Sequence, residues 1–208
     1  MQYVKIYLEK VTDIIIAFLS GVIGPVIVVM VSHYLTKRKK PDVLVETVNN
    51  ANIINDEIEH VLEEYKADRI WILQFHNGGH FYPTGKSIQK FSMIYEFVRL
   101  SKDTIRENFQ NIPVNLFSKA LSKVLKDDYL AITDYKDETV ATCGLKYLSD
   151  ECRTKSSYFF GIRNFENRLI AVLGVEYTDR KRVLNAEEIV KLRVSAAQIS
   201  GELASHLK

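Results

Sequence analysis

The stretch Ser157–Asp179, which reads SYFFGIRNFENRLIAVLGVEYTD, decides the fold. It holds two apolar runs, Tyr158–Arg163 and Arg168–Tyr177, on either side of the polar residues Asn164–Asn167. Apolar runs of this length, rich in aromatic and β-branched residues and joined by a short turn-forming segment, predict a β-hairpin. We therefore expect two adjacent antiparallel strands in the C-terminal part of the chain.

The sequence on both sides of the hairpin predicts the rest of an α+β domain. Downstream, Asn185 and Glu188 have the spacing of a capping box, which would begin a helix that ends near Leu207. Upstream, periodicity predicts a helix at Val43–Ala67, strands at Arg69–Phe75 and Ser87–Phe97, a helix at Asn111–Lys126, a strand at Tyr129–Thr133 and a helix at Glu138–Glu151. This order predicts a central antiparallel sheet of five or six strands. Helices between strands would cover one side, and the first and last helices would pack together on the other.

Several side chains have a predicted position within these elements. The first strand is expected to end at the turn sequence Asn77-Gly78-Gly79. In the second strand, alternation predicts one face formed by Phe91, Met93, Tyr95 and Phe97. In the Asn111–Lys126 helix, the residues expected to face inward are Val114, Phe117, Leu121, Val124 and Leu125.

The first predicted helix has the spacing of a coiled-coil seam. Steps of three and four residues link its apolar positions Leu44, Ala51, Ile54, Ile58, Val61 and Tyr65. The helix is short for an autonomous coiled coil, but a membrane that concentrates and aligns the chains would favour pairing. We therefore expect a homodimer through the Val43–Ala67 and Asn185–Leu207 helices.

The N-terminal residues predict a membrane anchor. Residues 14–35 carry no charge and are long enough to cross a hydrocarbon core of about 30 Å as a helix. Residues 1–13 predict a short amphipathic segment, and residues 36–42 a basic linker. Because Lys37–Lys40 outnumber the cations before the span, the positive-inside rule places the C-terminal body in the cytoplasm. We expect a single-pass protein of the inner or plasma membrane, with the lipid bilayer as a partner.

Residues 43–208 resemble a GAF domain, a small sensor module of signalling proteins. The resemblance is carried by RIWILQFHNG at Arg69–Gly78 and by the hairpin, where Leu173-Gly174-Val175 stands in the second strand. It implies a pocket between the sheet and the connecting helices that holds a cyclic nucleotide, bilin, haem or another small molecule, or nothing. The sequence supports no recognised ligand class; Cys143, for example, is followed by Gly144 and not by the histidine of the bilin type. The cofactor is therefore left unknown.

One segment has the composition of a ligand-binding loop. Residues 74–82, with Lys86, combine imidazoles, an amide, aromatic rings and a cation after an apolar strand. The alternative is that Asn-Gly-Gly only forms a turn and that the aromatic rings only close the core. The ligand-binding hypothesis comprises His76, Asn77, His80, Phe81, Tyr82 and Lys86, with Tyr95, Tyr158 and Arg163 completing the pocket.

Other chemistries find less support. The histidines do not form a ligand-spaced set, because Asn77-Gly78-Gly79 breaks the helix that His76 and His80 would need, so no metal site is predicted. No Walker A, GxSxG or HExxH sequence is present, and the chain is not expected to be an enzyme. A net charge of +2 without a recognition motif predicts no nucleic-acid binding.

Three functions remain open at this point. The first is a membrane-anchored module that senses a small molecule or signals through dimerisation or protein interaction. The second is a membrane-anchored structural or assembly protein with an empty pocket. The third is a membrane-perturbing effector, in which the spans associate around Gly21–Gly24.

Overall fold

The computed structural model describes residues 2–38, 42–100, 102–136 and 143–205. Parts of four predicted segments therefore lie outside the described residues: Met1 of the amphipathic segment, residues 39–41 of the basic linker, residues 138–142 of the predicted Glu138–Glu151 helix, and residues 206–207 of the last helix. The chain divides into two compact units, Met1–Val48 and Asn49–Lys208.

The N-terminal unit is helical. Helix α1 (Gln2–Phe18) continues through a π-helical turn (Leu19–Ile23) into helix α2 (Gly24–Arg38). Within it, Lys10–Leu35 is long and apolar enough to cross a membrane, with a mean hydropathy of 2.8. Helix α3 (Val43–Glu64) begins beyond the linker.

The π-helical turn lies directly before Pro25. Proline lacks an N–H donor, and its ring crowds the carbonyl group four residues earlier. A wider turn relieves this crowding, and the N–H of Gly24 accordingly donates to the carbonyl oxygen of Leu19, five residues back.

The second unit contains a six-stranded antiparallel sheet, as predicted. Its strands are β1 (Arg69–His80), β2 (Ser87–Val98), β3 (Ile112–Pro113), β4 (Tyr129–Ile132), β5 (Ser156–Arg163) and β6 (Leu169–Tyr177). Their order across the sheet is β3-β2-β1-β6-β5-β4. The remaining helices are α4 (Ser118–Asp127), α5 (Cys143–Asp150) and α6 (Ala186–Ser205).

Each face of the sheet buries its own core. The first core lies between the sheet and the helices α3 and α6. The second core lies between the opposite face and the connecting segments that include α4 and α5. The predicted division of the helices between the two faces is therefore confirmed.

Two local predictions are confirmed in detail. In the turn between β5 and β6, the Oδ1 of Asn164 accepts hydrogen bonds from the backbone N–H groups of Glu166 and Arg168. At the start of α6, the N–H of Asn185 donates to Oε2 of Glu188 at 2.8 Å. The N–H of Glu188 donates to Oδ1 of Asn185 at 2.9 Å in return, which completes the capping box.

The predicted seam of α3 faces the interior of its own domain. Ile54, Ile58, Val61 and Tyr65 are buried in the first core. Leu44, in contrast, is exposed. The three-four spacing correctly indicated a buried stripe, but most of that stripe packs on the sheet and is not available to a second chain.

The predicted single face of β2 is wrong. Ile72 pairs with Tyr95 and Leu73 pairs with Met93, so Ile94 is an extra residue in β2. This β-bulge shifts the alternation by one position. Phe91 and Met93 therefore belong to the second core, whereas Tyr95 packs against the first core.

Two element boundaries also differ from the predictions. Asn77-Gly78-Gly79 does not end β1; it lies inside the strand, where the register shifts and Gly79 takes a φ of +110°. The predicted Asn111–Lys126 helix is broken into β3, a 3₁₀ turn at Val114–Phe117 and α4, and Leu125 is exposed rather than inward. Pro113, with its fixed φ and no N–H donor, is paired in the short edge strand β3 and precedes the helical part.

Candidate functional site

Five of the predicted site residues lie at the exposed end of the β1–β2 hairpin. The turn is closed by the N–H of Phe81 donating to the carbonyl oxygen of Lys86 at 2.8 Å. Phe81 is 55% exposed and Tyr82 is 98% exposed, so their rings do not close the core. Asn77, His80 and Lys86 are also exposed. These residues form a projecting tip and enclose no cavity among themselves.

His76 and Tyr95 lie farther along the same hairpin. Strand alternation places His76 on the face of the first core, and its Nε2 lies 2.9 Å from Oγ of Ser92. Tyr95 is half-buried on that face, and burial raises the pKa of its phenol. Both residues face away from the second core, where the resemblance placed a pocket.

Tyr158 and Arg163 hold secondary-structure elements together. The Tyr158 hydroxyl, which is buried in the first core, donates to the carbonyl oxygen of Arg182 at 2.7 Å and accepts from the N–H of Leu184 at 3.0 Å. Arg163 donates to Oδ1 of Asp128 at 2.7 Å, and to the carbonyl oxygen of Leu125 at 2.9 Å. These contacts anchor the segment before α6 and the end of α4, and neither residue belongs to the hairpin tip. The nine predicted residues therefore do not line a single pocket.

The interior between the sheet and α4 and α5 is filled with aromatic rings. Phe91 contacts Phe75 and Phe117 edge to face, with ring centroids 6.4 and 5.3 Å apart. Phe117 in turn packs on Phe109, and Trp71 packs on Phe159 at 5.3 Å. Two rings pack directly against glycine residues. A Cβ atom added at Gly144 would lie only 2.4 Å from the Phe117 ring, and one added at Gly174 only 2.2 Å from the Trp71 ring, so a larger residue would clash at either position.

One enclosed cavity in this interior measures about 20 Å³, and its exposed lining is apolar. A single water molecule needs about 10–15 Å³ on the same measure. A small-molecule site, by contrast, usually encloses about 300–1,000 Å³. This enclosed cavity therefore has no room for a nucleotide or a tetrapyrrole, although open clefts of about 620 and 400 Å³ border α4 and α5. Nε1 of Trp71 is buried in the second core without a hydrogen-bond partner.

A buried ionic cluster lies at the end of the sheet where β1 begins. Arg69 donates from Nη1 to Oε2 of Glu176 at 2.8 Å, and its Nε lies 3.5 Å from Oε1 of Glu96. Thr154 also donates to Oε2 of Glu176 at 3.2 Å. Burial raises the pKa of Glu96, although backbone N–H groups of Ile105 and Arg106 donate to its carboxylate. The cluster ties β1, β2 and β6 together.

The reactive side chains near this cluster are held in their neutral forms. Burial, with a further contribution from Glu176, raises the pKa of Cys152 to about 12. Burial likewise raises the pKa of Tyr135 well above its ordinary value. A thiol with this pKa is a poor nucleophile at neutral pH. Among the described residues, no group of three His, Cys, Asp or Glu side chains is arranged to bind a metal ion.

One cluster of functional groups escaped the sequence analysis. Basic residues of two loops meet beside the start of β5 and the end of β6, at Arg153, Lys155, Arg180 and Lys181. The runs Arg153-Thr154-Lys155 and Arg180-Lys181-Arg182 were the available signal. Because β5 and β6 form an antiparallel hairpin, residues before the first strand and after the second must lie at the same end of the sheet.

Comparisons with known proteins bear on the fold. The sequence matches no family model, and it matches no curated protein. The structure is similar to the GAF domain of PixJ from Thermosynechococcus elongatus in its blue-light-absorbing form, with 17% identity, 79% of this chain and 91% of that chain covered, and a TM-score of 0.61. It is also similar to a GAF domain from Synechocystis sp. PCC6803 in its photoproduct state, with 20% identity, 76% and 96% covered, and a TM-score of 0.58.

A third structure is the GAF domain region of a candidate membrane protein from Geobacter sulfurreducens PCA. It has 13% identity, covers 79% of this chain and 99% of that chain, and gives a TM-score of 0.58. These likenesses show that the chain has the GAF fold, as its sequence resemblance predicted. At such identities they establish the fold and nothing further.

Proposed function

We propose that this GAF-fold chain is a membrane-anchored signalling module that acts through contact between two copies of the chain, and not through a small molecule held inside the domain. The observation that carries the proposal is an outward stripe of apolar and small residues on α6. Four exposed residues form this outer stripe: Val190, Val194, Ala197 and Gly201.

The position of the outer stripe on the helix is unusual. Steps of four, three and four residues keep its members on one face of α6. At about 100° per residue, that face lies opposite the buried face formed by Leu192, Ala196, Ile199 and Leu203. A helix on a protein surface normally presents polar residues there. Val190 and Val194 are instead 58% and 53% exposed, and no described residue covers them.

The residue types of the outer stripe favour a second helix as the covering partner. Ala197 and Gly201 carry small side chains, and a Cβ built at Gly201 would meet nothing within 4 Å. Such positions allow two helices to approach closely, while the valines supply apolar area. A common membrane anchor would raise the effective concentration of two such helices without adding a contact.

Three further observations support the proposal. The span Lys10–Leu35 supports membrane attachment, and the basic run Lys37–Lys40 supports a cytoplasmic domain. The similar structures include a photoproduct state, a blue-light-absorbing form and a region of a candidate membrane protein, which fits a role in sensing or signalling. The aromatic packing between the sheet and the helices α4 and α5 leaves little enclosed space for an internal ligand. Nothing in the proposal requires a catalytic step.

Cross-linking in membranes tests the proposal. In a Cys143→Ser background, in which the remaining Cys152 is buried, the full chain carrying Val194→Cys should form a disulfide-linked dimer under mild oxidation. The background chain itself and a Lys119→Cys variant on α4 should not. Adding Val190→Lys should abolish the cross-link, because it places a charge in the contact. Leu125→Lys, an equally drastic change at an exposed position of α4, should leave it intact. Equal cross-linking from positions 119 and 194 would refute the α6 interface.

A further inference from the structure

A cleft of about 560 Å³ opens at one end of the sheet, between three connections of the chain. The first follows β4, the second joins α5 to β5, and the third joins β6 to α6. Its lining residues are Asp134, Tyr135, Lys136, Ser149, Arg153, Thr154, Lys155, Arg180 and Lys181. A cleft of this size falls within the range that small-molecule sites occupy.

The described lining of this basic cleft is strongly positive. It carries five cationic side chains and one carboxylate, that of Asp134. Asp134 accepts a hydrogen bond from Lys181, which lowers the pKa of the carboxyl group and keeps it ionised. One ion pair therefore forms within the lining, and the other four cations give it an excess of positive charge.

Several of these cations have no protein acceptor. Lys155 donates from Nζ to the carbonyl oxygen of Asp179, and the Asp179 carboxylate is occupied by Lys102. Within the part of the chain that the structure describes, however, no acceptor takes a hydrogen bond from the side chains of Lys136, Arg153 or Arg180. Two guanidinium groups and one ammonium group are thus available to a ligand.

The backbone holds the two arginine-bearing loops in place. Arg153 adopts a left-handed conformation, with a φ of +56°, which a residue with a side chain rarely takes unless its surroundings fix it. On either side of Arg153, the N–H of Cys152 donates to the carbonyl oxygen of Tyr147, and the N–H of Thr154 donates to the carbonyl oxygen of Leu148. Beyond Lys181, the N–H of Arg182 donates to Oγ of Ser156 at 2.9 Å.

We propose that the basic cleft binds a ligand through its phosphate groups, with Arg153 and Arg180 as the principal contacts. A guanidinium group donates two parallel hydrogen bonds to a phosphate, and the backbone contacts of the two loops keep both arginines beside the cleft. The excess of positive charge matches a ligand with more than one negative charge, such as a pyrophosphate group or an organic phosphate. This site is separate from the α6 contact, and the inference stands whether or not that contact forms.

Inorganic pyrophosphate is the probe for the first arm of the test. Its affinity for the full chain in phosphatidylcholine nanodiscs is measured by titration calorimetry. Arg153→Gln combined with Arg180→Gln should weaken binding about tenfold or more, because both bidentate contacts are lost. Lys66→Gln combined with Lys86→Gln removes the same net charge from exposed positions outside the cleft and should weaken binding less than about twofold.

The second arm distinguishes a lipid headgroup from a soluble phosphate. Native mass spectrometry of the chain released from phosphatidylglycerol nanodiscs should reveal retained lipid if the phosphate comes from the bilayer, and the arginine variant should lose it. If the double arginine variant loses pyrophosphate binding, the site takes a soluble phosphate. If it loses retained lipid, the site takes a lipid headgroup, and either result supports the proposal. Equal weakening by the arginine and lysine pairs, or no effect of the arginine pair in both arms, would overturn it. A melting temperature within about 2 °C of the parent verifies that each variant is folded.

Discussion

At the scale of the residue, Glu96 determines a pH dependence of stability. Its carboxyl group is desolvated beside Arg69, and burial raises its pKa above the ordinary value of 4.5. Between the ordinary and the raised pKa, the folded protein binds more protons than the unfolded chain. The free energy of unfolding contributed by this group therefore decreases as the pH rises through that interval.

The variant Glu96→Gln isolates this contribution. The parent should lose stability relative to the variant as the pH rises from 4.5 through the raised pKa of Glu96, because the variant has no proton to lose. Denaturant unfolding of the full chain in detergent, followed by the fluorescence of Trp71, its single tryptophan, measures the difference.

Asp134→Asn serves as the control with the opposite sign. The Asp134 pKa is lowered by Lys181, so this carboxylate stabilises the fold above its ordinary pKa of 3.8 and loses that effect as the pH falls. Between pH 4.5 and the raised pKa of Glu96, the difference in unfolding free energy between the parent and Asp134→Asn should therefore stay nearly constant, whereas the difference between the parent and Glu96→Gln should change. If the difference in unfolding free energy between the parent and Glu96→Gln is also constant over this pH interval, the assigned pKa shift of Glu96 is wrong.

At the scale of the element, Phe117 closes the second core. It lies in the 3₁₀ turn before α4 and packs between Phe91 and Phe109. Truncation to alanine removes a buried ring and leaves a cavity, which typically costs about 3–5 kcal/mol. We expect Phe117→Ala to lower the free energy of unfolding by an amount in this range.

The adjacent residue provides a matched control for this loss. Leu116 is in the same turn but is 43% exposed, and Leu116→Ala should cost less than about 1 kcal/mol. Urea unfolding of both variants gives the comparison. Similar losses from the two substitutions would mean that the interior is not packed around Phe117.

The elements also show what the sequence could predict. The β5–β6 hairpin and the capping box of Asn185 and Glu188 were predictable, because each depends on neighbours within a few residues. The face of Tyr95 was not, because one bulged residue at Ile94 reverses the alternation without a change in composition. The buried stripe of α3 was recognised, but periodicity does not say which surface covers it.

The candidate sites followed the same rule. The hairpin tip attracted notice because its imidazoles, amide and aromatic rings are consecutive in sequence, yet the structure leaves them exposed. The basic cleft was missed because its residues come from loops that are separate in sequence. Sequence reasoning finds local chemistry more readily than chemistry that the sheet topology assembles.

At the scale of the whole molecule, the basic run Lys37–Lys40 is predicted to set the orientation of the chain in a membrane. Substitution of Lys37–Lys40 by glutamine removes the charge difference on which the positive-inside rule depends. In a Cys143→Ser background, we expect Lys119→Cys in the parent to react with an impermeant maleimide only from the cytoplasmic side, and the same cysteine in the substituted chain to be labelled from both sides. Lys5→Gln with Lys10→Gln, which enlarges the difference, should keep the single orientation. Uniform orientation of the substituted chain would refute this assignment.

The Tyr158 hydroxyl has a consequence for any assembly of two chains. It binds both Arg182 and Leu184, so the short segment between the basic cleft and α6 is fixed to the interior of β5 at two points. These two hydrogen bonds restrict movement of helix α6 relative to the cleft. Two chains joined along α6 would therefore hold their two clefts at a constant separation and orientation, and a surface that carries regularly spaced phosphates would meet both at once.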